Sequence, residues 1–349
     1  MMTKDPDCDM KYTMVPKTGL LLLFLLLSFS CRKTIYTGVY APNPVSRPVG
    51  REITENIRPP YLSAGDSVAL IATSNYVDPK KIAESKQLLE SWGLKVREAR
   101  NLYYQNGRYA GTAAQRAEGL QELIDNPNIK ALIATRGGYG CAQIIDRIDF
   151  TPLETAPKWF VGYSDLTVIH TALNNRGIET IHGPMAGNFS EKMEPEQLRK
   201  ALFGEFPAIS IETNAACVEG VAEGRLVGGN LSILYSLQGT GFESNMTGAI
   251  LFIEDIGEAN YAVDRMLMNL RLSGKLNGVK GVVVGQFTGL KTGVDKNIEE
   301  MISDAVAGLG IPVLYGIESG HGQPNLPLYL GRPVKLEVTP TTGTLIFKE

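Results

Sequence analysis

Three short segments of the 349-residue chain carry the residue types that acyl transfer requires. The first is Phe160-Val161-Gly162-Tyr163-Ser164-Asp165-Leu166-Thr167. An apolar strand that breaks into a tight turn and then a helix lifts a serine hydroxyl toward a ligand crevice. It also sets the free N–H groups of the helix start beside developing negative charge, with the amide of Asp165 directly after the serine. Leu166 stands where a full Gly-x-Ser-x-Gly pattern has its second glycine, and capping the helix is the alternative role for Ser164. The second segment, Arg136-Gly137-Gly138-Tyr139-Gly140, again sits between a strand and helix-like sequence. Its glycines let backbone N–H groups converge on one anion, either a phosphate or an oxyanion. The spacing matches neither GxGxxG nor GxxxxGK[ST], so it gives nucleotide binding little support. The third group comes late in the chain. Glu254 and Asp255 end an apolar strand, and Gly320-His321-Gly322 places a histidine between glycines. Of the three histidines, His170 lies in an apolar helix and His182 precedes Gly183-Pro184, both settings that suit packing. His321 has the ligand-facing setting of a general base, and such a base needs an orienting carboxylate, for which Glu254 and Asp255 both qualify.

The elements that must position these residues alternate. Ser67 to Ala72 reads as a buried strand, Pro79 to Trp92 as a helix ended by Gly93, and Lys95 to Ala99 as a strand. Thr112 to Asp125 follows as a helix with Thr112 as its cap, then a strand from Lys130 to Thr135 and a helix from Cys141 to Ile148. Trp159 to Val161 is a strand and Leu166 to Asn175 a helix. This order implies a doubly wound, mostly parallel sheet whose ligands sit at the carboxyl ends of the strands. Beyond Asn188 the texture changes to a polar stretch and two strands within Pro207 to Arg225. A Gly228-Gly229-Asn230 turn, a strand Ala249 to Ile253, a helix near Tyr261 to Leu272, a strand Gly281 to Phe287 and a terminal pair of strands complete a smaller mixed α/β domain.

A net charge of −3 with no long basic run gives no support to a nucleic-acid partner, and 44% apolar residues mark a globular chain. Lys11 and Lys17 precede the run Gly19 to Ser30, whose apolar core, Leu20 to Leu27, is too short to span a membrane and reads as an export signal. Cys31 after Ser30 is similar to the lipid-attachment cysteine of bacterial lipoproteins, although Ser28 stands where an aliphatic residue is usual. The alternative is a simple secretory signal or an uncleaved anchor. The expected plan is a signal over 1–30, a Pro-rich tether over 31–60, an N-terminal domain over 61–190 and a C-terminal domain over 207–349. The protein is then exported and held on a membrane, periplasmic or at the cell surface. Cys141 and Cys217, far apart, read as small buried hydrophobes, and no CxxC or HExxH spacing suggests a metal.

Other segments join these in a fixed order. They are Gly107-Arg108-Tyr109-Ala110-Gly111-Thr112, His182-Gly183-Pro184-Met185, Gly228-Gly229-Asn230-Leu231 and Asp264-Arg265-Met266-Leu267. With the three segments above, the ordered set covers about Pro60 to the C-terminus. It resembles the LD-carboxypeptidases, the S66 type of serine peptidases, which include muramoyltetrapeptide carboxypeptidases and microcin-immunity peptidases. The resemblance implies Ser164 as nucleophile, His321 as general base and Glu254 as orienting carboxylate, in a cleft between the two domains. It implies oxyanion donors at the backbone of Asp165 and Gly138, and Arg265 either facing a substrate carboxylate or forming an interdomain salt bridge. It further implies release of terminal D-alanine from the peptide stems of peptidoglycan, no metal or cofactor, and a homodimer. A microcin-type substrate, or a non-catalytic ligand-binding lipoprotein, is the alternative.

Overall fold

Polar helices alternate with apolar strands through the first half, and that alternation sets the architecture. The computed structural model describes residues 56–291 and 296–349. The segment expected as an export signal, Cys31 and nearly all of the expected tether lie outside the described residues.

The first sheet is built from β1 (Ser67–Ile71), β2 (Lys95–Glu98), β3 (Ile129–Ala134), β4 (Trp159–Gly162) and β5 (Thr180–His182). These five run parallel in the order β2-β1-β3-β4-β5. The intervening helices are α1 (Pro79–Ser91), α2 (Ala113–Asp125), the single turn α3 (Pro152–Thr155) and α4 (Thr167–Asn174). Their starts are encoded locally. The Asp78 side chain caps α1 ahead of Pro79, and Thr112 with Gln115 forms a reciprocal capping box at α2. The strand order reverses between β1 and β3, the kind of place where ligands of such sheets bind at the carboxyl ends.

Helix α5 (Pro195–Leu202) leads out of this layer to β6 (Ala208–Glu212), β7 (Gly220–Asn230), α6 (Leu231–Ser236) and β8 (Ile250–Ile256). Then come α7 (Asn260–Leu272), β9 (Gly281–Thr288), α8 (Ile298–Val306), β10 (Val313–Gly320), β11 (Leu328–Leu330), β12 (Pro333–Val338) and β13 (Thr342–Phe347). The second sheet has the order β10-β9-β8-β7-β12-β13-β6. Its strands β7 to β10 are parallel and its other three antiparallel.

The chain departs from the sequence reading at two places. The expected helix from Cys141 to Ile148 is a pair of short 3-10 turns, Cys141–Gln143 and Ile145–Arg147. The Cys141 N–H there is taken by the Asp165 carboxylate, at 2.8 Å. Gly228-Gly229-Asn230 is the end of β7, paired with Phe252, Ile253 and Glu254 of β8, not a turn. Late in the chain, β11 leaves the second sheet's region and adds an antiparallel edge to β5. Arg332 just beyond it is buried, with Nε donating to Glu179 Oε2 at 2.7 Å and the guanidinium 3.6 Å from the Tyr329 ring centroid. This charge-assisted pair pins the returning segment to the first sheet.

Candidate active site

Strand β4 delivers Tyr163 in extended conformation, and the chain then turns sharply, with φ +60° at Ser164. A serine on the left-handed side costs roughly 1–2 kcal/mol, a strain that the surrounding contacts must hold. The Leu166 N–H closes the turn on the Tyr163 carbonyl at 3.2 Å, and α4 starts at Thr167. The Asp165 side chain, which sequence reasoning passed over in favour of its amide, points inward. It accepts from Cys141 N at 2.8 Å and from the Ser74 hydroxyl. Arg116 of α2 holds the same glycine turn from the other side, donating to Gly140 O at 2.8 Å and Thr73 O at 2.6 Å. Asp165→Ala should therefore leave the Cys141 N–H and Ser74 without their buried acceptor. We expect a loss of about 2–3 kcal/mol in urea unfolding, with a fall in turnover as the glycine turn loosens.

That turn lies against the serine. A Cβ at Gly137 would stand 3.1 Å from Ser164 Cβ and 3.2 Å from its Oγ. At Gly138, where φ is +108°, a Cβ would run into the Asn75 carboxamide at 2.0 Å. Gly138 thus calls for glycine by its backbone and its neighbour, while a side chain at Gly137 would have to push Ser164 or Met185 aside by a few tenths of an ångström.

The second sheet supplies an acid–base pair. The His321 Nδ1 lies 2.7 Å from Glu254 Oε2, with Glu254 fully buried and His321 only 11% exposed. Burial pushes the Glu254 carboxyl above its usual range, an effect that the adjacent imidazole opposes. Between the two carboxylates the structure makes a clear choice. Asp255 is spent on α6, accepting from Asn230 Nδ2, Ser232 N, Ser232 Oγ and Ile256 N. Two contacts join the pair's surroundings to residues on either side of Ser164. The Tyr163 ring meets the His321 imidazole edge-on, centroids 4.8 Å apart. Asn230, the register partner of Glu254, donates its N–H to Thr167 Oγ1 at 3.1 Å. With Nδ1 committed to Glu254, Nε2 is the ring nitrogen outside that bond.

The other histidines are fully buried. His170 Nε2 bonds the Gly162 carbonyl at 2.9 Å, and His182 packs edge-on against Phe252 with neither ring nitrogen hydrogen-bonded. Burial pushes His170 down to about 4 and His182 well below its ordinary value. Over the window from about 6.5 down to about 4, the unfolded His170 binds a proton that the folded one refuses, so stability falls as pH falls. The His170 share is on the order of 3 kcal/mol, and His182 adds in the same direction. Urea midpoints measured across that window should drop steeply for the parent and less steeply for His170→Gln; equal slopes would contradict the assignment.

Beside the pair lies a cavity of about 450 Å³, lined by Tyr163, Asn188, Ser190, His321, Lys81 and Glu84 among others. That volume suits a short peptide. Arg265 stands exposed on α7, its guanidinium 5.6 Å from the Tyr261 ring centroid. Among the described residues, no group of three His, Cys, Asp or Glu side chains is arranged to hold a metal ion.

A serine on a strained strand-to-helix turn, with an imidazole–carboxylate pair against the neighbouring tyrosine, is an arrangement that serine peptidases of several folds use. Comparison with known proteins narrows the class. Residues 68–183 match the model of the LD-carboxypeptidase N-terminal domain, and residues 223–336 that of the LD-carboxypeptidase C-terminal domain. The chain is 36% identical over 301 residues to a probable murein peptide carboxypeptidase of Bacillus subtilis (strain 168), covering 83% of this chain and 94% of that one. It is 30% identical to the murein tetrapeptide carboxypeptidase of Pseudomonas aeruginosa, covering 77% of this chain and 92% of the relative. The crystal structure of muramoyltetrapeptide carboxypeptidase from Oxalobacter formigenes superimposes with a TM-score of 0.73 at 30% identity, over 81% of this chain and 99% of that one. The chain belongs to the LD-carboxypeptidase family, and is a serine-type peptidase.

Proposed function

We propose that the protein releases the terminal D-alanine from peptidoglycan tetrapeptides, by hydrolysing the bond between the L-centre of a diamino acid and that residue. The observation that carries this reading is the buried Glu254–His321 bond set against Tyr163, one residue from Ser164. Ser164 Oγ attacks the scissile carbonyl carbon while His321 Nε2 takes its proton. Glu254 orients the ring and stabilises the imidazolium that forms. Backbone N–H groups of Asp165 and Gly138 receive the oxyanion. The C–N bond breaks, the proton passes from His321 to the leaving amine, and D-alanine departs. Water, deprotonated by His321, then attacks the ester, and the tripeptide leaves with Ser164 restored. The relatives named for murein peptides support this substrate class.

The same reading assigns Arg265 to a substrate carboxylate. It makes the protein an exported homodimer, lipidated at Cys31, with the nucleophile in an N-terminal domain over 61–190 and Glu254 and His321 in a C-terminal domain over 207–349. Incubating the purified protein with a muropeptide tetrapeptide tests the activity: equimolar free D-alanine and tripeptide are expected. Cleavage of a peptidyl-nucleotide alone would favour a microcin-type substrate. No hydrolysis and no labelling by a serine-reactive probe would favour a binding lipoprotein.

A further inference from the structure

His321 sits in the loop that joins β10 to β11, yet its neighbours are held as firmly as a strand. The Gly320 N–H donates to Asn325 Oδ1 at 2.9 Å, and the Gly322 N–H donates to Gln286 Oε1 at 2.8 Å. Both amides flanking the imidazole therefore end on carboxamide oxygens. Gln286 does more than accept, because its Nε2 donates to the Pro324 carbonyl at 3.0 Å. One side chain thus bridges the loop on both sides of Gln323. It reaches there from β9, where Gln286 is the register partner of Gly320. A Cβ at Gly322 would stand 2.5 Å from the Gln286 carboxamide carbon, so the loop lies directly on this side chain.

The His321–Glu254 bond has little tolerance for movement. Glu254 is fixed in β8 with no exposed surface, so any displacement of the imidazole must come from the loop. The contact between Gly320 and Glu254 is already tight, a Cβ there falling 2.9 Å from Oε2. We propose that Gln286 is a positioning residue for the reaction, its carboxamide setting the His321 loop so that Nδ1 meets Glu254 and Nε2 faces Ser164. This rests on the reading of His321 as general base.

Gln286→Met keeps the length of the side chain and removes both hydrogen bonds. Misplacing a catalytic group by about 1 Å costs on the order of 10²-fold in rate. The expected result is a kcat lower by about 10- to 100-fold with KM within about twofold, measured where the variant is fully folded by circular dichroism. Gln286→Glu supplies a second, independent readout. An ionised carboxyl accepts from Gly322 but repels the Pro324 carbonyl, whereas a protonated one donates and accepts as the glutamine does. The ratio of its kcat to the parent's should therefore rise as pH is lowered from about 8 toward about 5, into the carboxyl range. A purely structural role moves the melting temperature without that ratio. His321→Ala is assayed alongside. If it retains activity, the general-base reading itself fails. If it is inactive while Gln286→Met keeps the parental kcat, or Gln286→Glu shows a ratio flat with pH, the positioning role is overturned.

Discussion

Ser164→Ala is expected to lower kcat for D-alanine release by about 10⁴-fold or more while leaving the fold intact. The size follows from the role. Without the hydroxyl no acyl-enzyme forms, and what remains is the weak effect of binding and of oxyanion donors on attack by water. The fold should survive because the turn is held by other groups, namely the Leu166–Tyr163 bond and the Asp165 carboxylate on Cys141. The geometry of the turn makes a separate demand. At φ +60°, alanine carries the same backbone strain as serine, and glycine carries none. Ser164→Gly should therefore be as inactive as Ser164→Ala, yet more stable than it by about 1 kcal/mol after the entropic cost of glycine. Paired urea melts of the two variants read that difference. A glycine variant clearly less stable than the alanine variant would mean that Ser164 is not strained.

Glu254→Gln should be the second large loss, on the order of 10⁴-fold in kcat, although it changes one atom. The carboxamide can still meet Nδ1, but it brings no charge to stabilise the imidazolium and allows the wrong tautomer. Stability should move the other way. Because burial holds the Glu254 carboxyl above its ordinary range, the folded state takes up its proton more readily than the unfolded chain. As pH rises through that folded value, ionisation penalises the folded state. The neutral amide escapes the penalty, so Glu254→Gln should melt no lower than the parent at neutral pH. Steady-state kinetics and thermal melts on the same samples check both halves. A variant that loses stability but keeps its turnover would point to a structural carboxylate.

Much of this site is legible in the sequence because its parts sit at the junctions of strong local patterns. Ser164 follows a strand and precedes a helix, Glu254 closes an apolar strand, and His321 lies between glycines, so residue type and position together suggest the chemistry. Local pattern could not choose between Glu254 and Asp255, since both end the same strand. The choice depends on who reaches them, and Asn230 and Ser232 claim Asp255 from more than twenty positions away. The supporting residues were hidden for the same reason. Asp165 meets Ser74 across 91 positions, Arg116 meets Thr73 across 43, and Gln286 meets Gly322 across 36. A signal did exist for Arg116, an arginine on the face of α2 that also buries Leu120 and Leu123. None existed for Gln286, which reads as an ordinary polar residue near the end of a strand. At Cys141 the Asp165 carboxylate meets the first N–H group of the segment across 24 positions, a contact equally hidden from local pattern.

The fold explains why such distant residues converge. The Ser164 turn follows β4 and the glycine turn follows β3, both at the carboxyl edge of parallel strands. Glu254 and His321 stand at or just past the carboxyl ends of β8 and β10 in the second sheet. The end of β7 against α4 joins these edges: a Cβ at Gly229 would lie 2.6 Å from Thr167 Oγ1, so only glycine permits the approach. Ser164 follows a strand of the first sheet while Glu254 and His321 belong to the second, so the proposed chemistry draws on both.

The most direct measurement mixes the full chain with a tetrapeptide substrate, quenches the reaction with acid within the first turnovers, and maps the covalent adduct by mass spectrometry of the digested protein. The account predicts that the tripeptide acyl group is found on the peptide containing Ser164 and disappears in Ser164→Ala. An acyl group on any other residue, or undiminished D-alanine release by Ser164→Ala, would contradict it.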